Sequence, residues 1–346
     1  MIVIIDDALF DPAASVYVLD LMTLFRMGLA ERHYLVLEPP FDPEAEPEAG
    51  RAVNRWLDQQ GQTLREEVSL ALENGLIAEA SGPSPRPRLR IRVANVKEPD
   101  WGTDPPVLPL ATACQLLAMP LCLLVEDSRT ESSFLRAFSP PTLRERLERA
   151  VRDGWVEFEH GGGLPGMLPR VREKGQDHLR ALRLWVMFDS DARSPFDPDS
   201  PHPVYGPSKK SRAVADACQR ARGNLQWHQL RRRAIENYVP GRVLQAWAGH
   251  DRARNHKVEV FLGGMDRTQR HYFNMKDGFA GDRKDKHRGI APIYDDTLQA
   301  SQHLQTGFSD LADFLHERQF RIEPSWMTDH QMDELGPLIE SIFARM

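Results

Sequence analysis

The sequence predicts an α/β fold: a parallel sheet flanked by helices, preceded by an N-terminal α/β or α+β unit and closed by C-terminal helices. Two observations carry that prediction. Apolar runs of strand length, Leu121–Val125 and, but for Arg183, Leu182–Phe188, alternate with stretches of helical periodicity, and strands apolar on both faces belong to a parallel sheet covered by helices. The carboxylate-bearing turns Glu126-Asp127 and Asp189-Ser190-Asp191 fall just past those runs, at the sheet edge where open α/β folds place their sites.

Taken in order, Ile2–Ile5 and Tyr34–Leu37 are short apolar runs suited to buried strands, and Ala14–Leu29 between them has helical apolar spacing. A Pro/Glu-rich loop, Glu38–Gly50, leads to an amphipathic helix over Arg51–Asn74 that Gly75 is expected to end. Gly82–Pro87 reads as a linker or turn, and Arg88–Val93 alternates Arg with apolar residues in the period-2 pattern of a strand. These residues make an N-terminal accessory unit, 1–106. The second unit, 107–296, holds strand Leu121–Val125, two helices broken at Ser139-Pro140-Pro141, and strand Trp155–Phe158 ending in His160-Gly161-Gly162-Gly163. A helix over Leu168–Leu182, strand Leu182–Phe188, a helix around Ser211–Arg222 and strand Leu225–Gln229 follow. Lys257–Leu262 and Arg270–Met275 flank Gly263-Gly264, which suggests a β-hairpin running into Lys276. The last segment, 297–346, carries two amphipathic helices for packing or for homo-oligomer formation.

Composition narrows the function classes. The chain has 346 residues, 41% hydrophobic, with net charge −6 and three cysteines in no CxxC pair. No apolar run approaches the roughly 20 residues of a membrane span, and the first residues lack the basic start of a signal peptide, so a cytoplasmic protein with no membrane association is expected. A disulfide framework and a structural zinc site are set aside. No HExxH and no GxxxxGK[ST] occur, which sets aside zinc hydrolysis and P-loop ATP hydrolysis. Residues 1–100 hold 17 acidic and 10 basic residues, whereas 207–290 hold 8 acidic and 19 basic. So basic a block in an acidic chain suggests a surface for a polyanion.

Glu126, Asp189, Asp191 and Glu236 each follow a predicted strand, so the fold can gather them at one sheet edge. Carboxylates crowded a few Å apart repel unless protonated or bridged by a cation. Mg²⁺ or Mn²⁺ is the fitting cation for hard oxygen donors and supports phosphodiester displacement. Singly, each acid is equally a helix cap or a turn residue. The Gly161–Gly163 turn offers backbone N–H groups to a phosphate or serves only as a tight turn. Arg231, Arg232 and Arg233 contact phosphates or begin an ion-paired surface helix.

The segments Leu123-Leu-Val-Glu126-Asp-Ser-Arg-Thr-Glu131, Gly161–Gly163 and Val186-Met-Phe-Asp189-Ser-Asp191 resemble the Toprim domain shared by topoisomerases, bacterial primases and OLD-family nucleases. Leu230-Arg-Arg-Arg-Ala-Ile-Glu236-Asn-Tyr238 is similar to a motif of OLD-like Toprim nucleases, stand-alone anti-phage effectors among them. The resemblance covers roughly residues 120–280. It departs at Asp127, where many relatives carry Gly. It implies a nuclease acting on DNA or RNA, with Glu126, Glu131, Asp189, Asp191 and Glu236 on the metal, Lys276 on the transition-state phosphate, and Gly162, Gly163 and Arg231–Arg233 on the nucleic acid. Without an ATPase domain in the chain, it implies a free-standing effector or one governed by a separate ATPase or sensor subunit. The competing expectation is a non-catalytic regulatory subunit. The chain is too short for a topoisomerase's strand-passage domains and lacks a primase's zinc module.

Overall fold

The computed structural model describes all residues except 13–17, 40–50, 81–88, 198–204, 224, 287 and 319. The expected loop Glu38–Gly50 and the linker Gly82–Pro87 fall almost wholly outside the described residues. Two four-stranded parallel sheets organise the chain, and both have the same strand order.

The first sheet runs β2-β1-β3-β4, from β1 (Ile2–Asp6), β2 (Tyr34–Glu38), β3 (Arg90–Val93) and β4 (Val107–Leu108). Helices α1 (Val18–Leu29), α2 (Ala52–Asp58), α3 (Gln62–Ala80) and α4 (Leu110–Ala118) cover it. Its core joins Val3, Ile5, Phe25, Leu35, Leu72, Ile91, Leu110 and Leu117. Two expectations are corrected here. Gly75 does not end a helix: α3 continues to Ala80, and the glycine sits where a Cβ would land on the Leu35 carbonyl. It is a crossing point, where only the absent side chain lets α3 lie against β2. The unit also does not stop at 106, because β4 pairs with β3 and α4 buries Leu110, Leu116 and Leu117 in the first core.

The second sheet runs β6-β5-β7-β8, from β5 (Leu121–Val125), β6 (Val156–His160), β7 (Leu184–Phe188) and β8 (Gln226–Gln229), all parallel. Between them stand α5 (Ser128–Phe138), α6 (Pro141–Arg152), α7 (Gly163–Lys174), α8 (His178–Leu182) and α9 (Lys209–Gln219). Side chains alternate across each strand. Leu121, Leu123, Val125, Trp185 and Met187 join a core with α5, α6 and the C-terminal helices. Cys122, Leu124, Val186 and Phe188 pack on α7 and α9. Apolar residues on both faces are what a doubly covered parallel strand requires, so α/β is the observed class.

After β8 comes a 3-10 turn, Ile235–Tyr238, then α10 (Gly241–Ala248), α11 (Arg252–Gly264), α12 (Arg267–Tyr272) and α13 (Gly278–Lys284). The expected hairpin is therefore two helices. Asp251 caps α11 by accepting from Ala253 and Arg254, and Asp266 and Gln269 form a reciprocal capping box on α12. Val258 and Phe261, three residues apart, are buried as a helix face rather than a strand face.

The chain closes with α14 (Asp296–Ala300), α15 (Leu311–Arg318) and α16 (Asp329–Phe343). Leu304, Leu311, Leu335, Leu338 and Ile342 all enter the core against β5 and β7, so the closing helices serve packing within the chain. Among the described residues no helix is long and apolar enough to cross a membrane.

Candidate active site

After β6 the chain crosses back over β5 to form β7, so the strand order reverses between β5 and β7. The two crossovers leave in opposite directions and open a crevice at the carboxyl ends of those strands. Glu126 and Asp189 are the first residues past β5 and β7 and flank that crevice.

Each carboxylate is held by the turn that carries it. Glu126 Oε1 accepts the backbone N–H of Asp189 at 2.8 Å, which ties the two strand ends together. Asp127 caps α5 through Arg129 and Thr130. In the first turn of α5 the buried Glu131 reaches back, its Oε2 accepting the Asp127 N–H at 3.0 Å. Asp189 Oδ1 accepts from the Ile235 N–H at 3.2 Å, and its carbonyl accepts from Ser211 Oγ at 2.6 Å. Asp191 adopts φ +53° and is fixed by its N–H to the Arg233 carbonyl and its carbonyl from Arg288 Nη1. Aspartate is among the few side chains that tolerate this left-handed conformation.

Glu236 enters from the 3-10 turn after β8 and is only 4% exposed. Its Oε1 stands 3.7 Å from Lys276 Nζ, and its buried Oε2 has no hydrogen-bond partner. Lys276 lies between α12 and α13, with its backbone close against Gly307. About half its side chain (54%) is open to solvent.

The electrostatics follow from this crowding. Burial pushes the Glu126 carboxyl up to about 7 against the help of the Asp189 N–H, and the nearby Asp191 charge adds to the rise. Burial and then the Glu236 charge push Glu131 up to about 8. Burial first, then Glu126 and Glu236, hold Asp189 well above the usual carboxylate range. Lys276 is held above its ordinary range, chiefly by Glu236. The structure thus brings together Glu126, Glu131, Asp189 and Glu236 around one ammonium, with Asp191 at the margin. Four acids and one lysine leave negative charge that protons or a further cation must balance.

A divalent cation fits the chemistry of this set. All its donors are carboxylate oxygens, which suit Mg²⁺ or Mn²⁺, and Glu236 offers a buried oxygen with no partner. As they stand, the carboxylates are not drawn as close as bound ligands would be. Among the described residues, the one group of three potential ligand atoms mutually within 4.8 Å is elsewhere, at Cys122, Glu157 and Glu159. Two of its three members are already engaged. Glu159 pairs with Lys174 and Arg170, and the Cys122 thiol, pushed up chiefly by burial, donates to Glu159.

Two of the expected nucleic-acid contacts have other uses. The N–H groups of Gly161, Gly162 and Gly163 bond to the carbonyls of Val125 and Glu126, so they are not free for a phosphate. Instead the turn, at φ +75° and +70° for Gly162 and Gly163, brings the start of α7 under Glu126, where the Leu164 N–H supports the carboxylate. Arg232 and Arg233 point inward. Arg233 grips the buried Asp282 with two bonds (2.9 and 2.5 Å), and Arg232 lies on the Tyr238 ring and bonds the Asn237 carbonyl. Arg231 alone of the three is exposed.

Two supporting residues escaped sequence reasoning. Asp282 is hidden in a basic string, and Glu334 of α16 accepts from Tyr238 Oη (2.5 Å), His228 and the Arg231 N–H to fix the turn bearing Glu236. Neither has a local signal, since each is defined by partners far along the chain. The chain matches no known protein-family model, no curated protein and no solved structure.

Proposed function

We propose that this protein is a divalent-metal-dependent nuclease hydrolysing phosphodiester bonds of DNA or RNA, with its centre at Glu126, Glu131, Asp189, Asp191 and Glu236. One observation carries the reading: four acids and Lys276 converge at the strand-order reversal of a parallel sheet, and one buried carboxylate oxygen there lacks a partner. Mg²⁺ or Mn²⁺ bound by these carboxylates would supply Lewis acidity toward the phosphate and activation of water. Glu126, Asp189 and Glu236 are the first candidates to hold it.

The chain's own groups account for the rest. Lys276 provides a fixed positive charge next to the carboxylates, where a phosphorane's developing negative charge would form. The surroundings suit a polyanion. On one side Lys209, Lys210 and Arg288 border a cavity of about 400 Å³ with Asp191 and the Arg193–Asp285 ion pair. On the other, Arg267, Arg270 and His271 border one of about 290 Å³ with Glu236. Burial, then the charges of Arg232, Arg267 and Arg270, press His271 down to about 4. Arg231 is the exposed cation of the run after β8.

Service in bacterial anti-phage defence, alone or under a separate ATPase or sensor subunit, belongs to this proposal and rests on the Toprim and OLD-like resemblance. The test is cleavage of supercoiled plasmid, linear DNA and total tRNA with Mg²⁺ or Mn²⁺, wild type beside Asp189→Ala. Cleavage that the substitution removes supports a metal nuclease and names its substrate. Cleavage of the same rate in both proteins would sink the proposal.

A further inference from the structure

Far from the carboxylates, at the seam between the two sheets' units, lies a cavity of about 140 Å³ bordered by Arg32, Arg146, Arg149, Arg183, Tyr34 and Trp155. A second hollow, of about 280 Å³, shares Ala30, Arg32 and Trp155 with it and adds Arg26. None of these five arginines makes an ion pair with a carboxylate among the described residues.

Their visible bonds go to neutral carbonyls. Arg32 Nη2 donates to Ala118 and Met119 at 2.9 and 3.0 Å, and Arg183 donates to the carbonyls of Met119 and Arg345 at 3.2 and 2.9 Å. Arg32 Nε is buried with no partner. Arg183 is 2% exposed, and burial lowers it to about 9, with the like charges of Arg32 and Arg345 pushing the same way. His33, buried beside them, is held neutral by burial and then by neighbouring positive charges that include Arg183 and Arg32. Glu31 is the acidic side chain on the border, and it is exposed; Met346 also borders the cavity. Buried cations without counter-charges are costly, and guanidinium groups match phosphate oxygens in a planar, two-pronged geometry.

We propose that this seam binds a phosphate-bearing small molecule of mononucleotide size. Its phosphate would sit among Arg32, Arg146, Arg149 and Arg183, and its base would lie in the adjoining hollow against Trp155. The smaller cavity suits a phosphate, and the larger provides the room and the aromatic face that a base requires. Arg146, already placed 6.0 Å from the Tyr34 ring, shows that the cations here stack on flat surfaces. The site is independent of the carboxylate centre and would join the two units through one ligand.

The test is isothermal titration calorimetry of the full chain in EDTA, which silences any metal-dependent binding at the carboxylates. The probes are inorganic phosphate and the 5′-monophosphates of adenosine, guanosine, cytidine and uridine. We expect saturable binding of at least one monophosphate, tighter than phosphate itself. Arg146→Ala with Arg149→Ala should weaken it about ten-fold or more, since each charge-assisted bond is worth roughly that factor. Trp155→Ala should weaken the nucleotide and leave phosphate binding unchanged. These three substitutions lie on partly or fully exposed side chains, so folding is checked by an unchanged circular dichroism spectrum. No saturation at millimolar monophosphate, or equal affinity in the double variant, overturns the proposal. So does a single-stranded oligonucleotide that binds here when no mononucleotide does, because the seam would then be a nucleic-acid surface.

Discussion

Glu131 holds its carboxyl 2% exposed, with another acid's charge pushing its proton affinity up to about 8. An unfolded glutamate titrates near 4.3, so between about pH 4.5 and 8 the folded chain keeps a proton that the unfolded chain has lost. Stability therefore falls as pH rises through that window, by about 1.4 kcal/mol per pH unit for a group held fully protonated. In EDTA, the Tm should drop from pH 5.5 to pH 8, and Glu131→Gln should flatten the drop; an equal slope in the variant would contradict the picture. A second contrast concerns neighbouring arginines. Asp282→Ala strands the buried Arg233 without its carboxylate, while Arg193 keeps Asp285, a loss of about 3–5 kcal/mol readable by urea denaturation. Arg231→Ala, at an exposed position, should change stability by about 0.5 kcal/mol or less and, if the proposed nuclease reading holds, weaken nucleic-acid binding. Glu126 and Asp189 were legible in the sequence because they follow apolar runs directly. The inward turn of Arg233 was not, because it depends on Asp282, which a basic string conceals, and that of Arg232 rests on the Tyr238 ring and the Asn237 carbonyl.

At the scale of elements, apolar strands and the Pro-Pro helix break could be read because each carries its own pattern of about five to a dozen residues. The segment from 252 to 272 was ambiguous: paired glycines between two mixed runs look like a hairpin, and only the caps at Asp251 and Asp266 argue for helices. Gly75 shows the same limit. A glycine that ends a helix and one that admits a strand are identical in sequence, and the difference is the Leu35 carbonyl beneath it. Gly75→Ala should accordingly cost about 1–3 kcal/mol, the usual penalty for overfilling a packed contact, whereas a helix-ending glycine in a left-handed turn would be judged by backbone strain alone. Gly161→Ala tests an element boundary nearer the chemistry. Its Cβ would lie 2.7 Å from the Val125 carbonyl oxygen, pushing the α7 start away from Glu126. If the carboxylate centre is a nuclease, kcat should fall more than stability does, measured by cleavage beside thermal denaturation.

At the scale of the whole molecule, the sequence suggested an accessory unit ending at 106, and the structure moves that boundary and weakens it. Composition marks where charge changes sign, but it cannot report which sheet a two-residue strand such as β4 will join. The first core also includes Leu182 from α8, with Leu179 packed against it. The Leu89 N–H bonds the Ala344 carbonyl at 2.9 Å, Arg183 donates to the Arg345 carbonyl, and Arg345 returns a bond to the Leu182 carbonyl. The end of the chain is thus the clasp between the two units, while α16 fills the core under β5 and β7 through Leu335, Leu338, Ile339 and Ile342. Such sharing predicts one cooperative transition in calorimetry, with equal calorimetric and van't Hoff enthalpies. It also predicts that residues 1–106 alone remain unfolded for lack of β4 and α4, and that 1–118 folds only weakly without Leu182 and the clasp. Two resolved transitions in the full chain, or a fragment 1–106 with native-like secondary structure, would instead mean that each sheet carries its own sufficient core and that the clasp merely holds two finished units together.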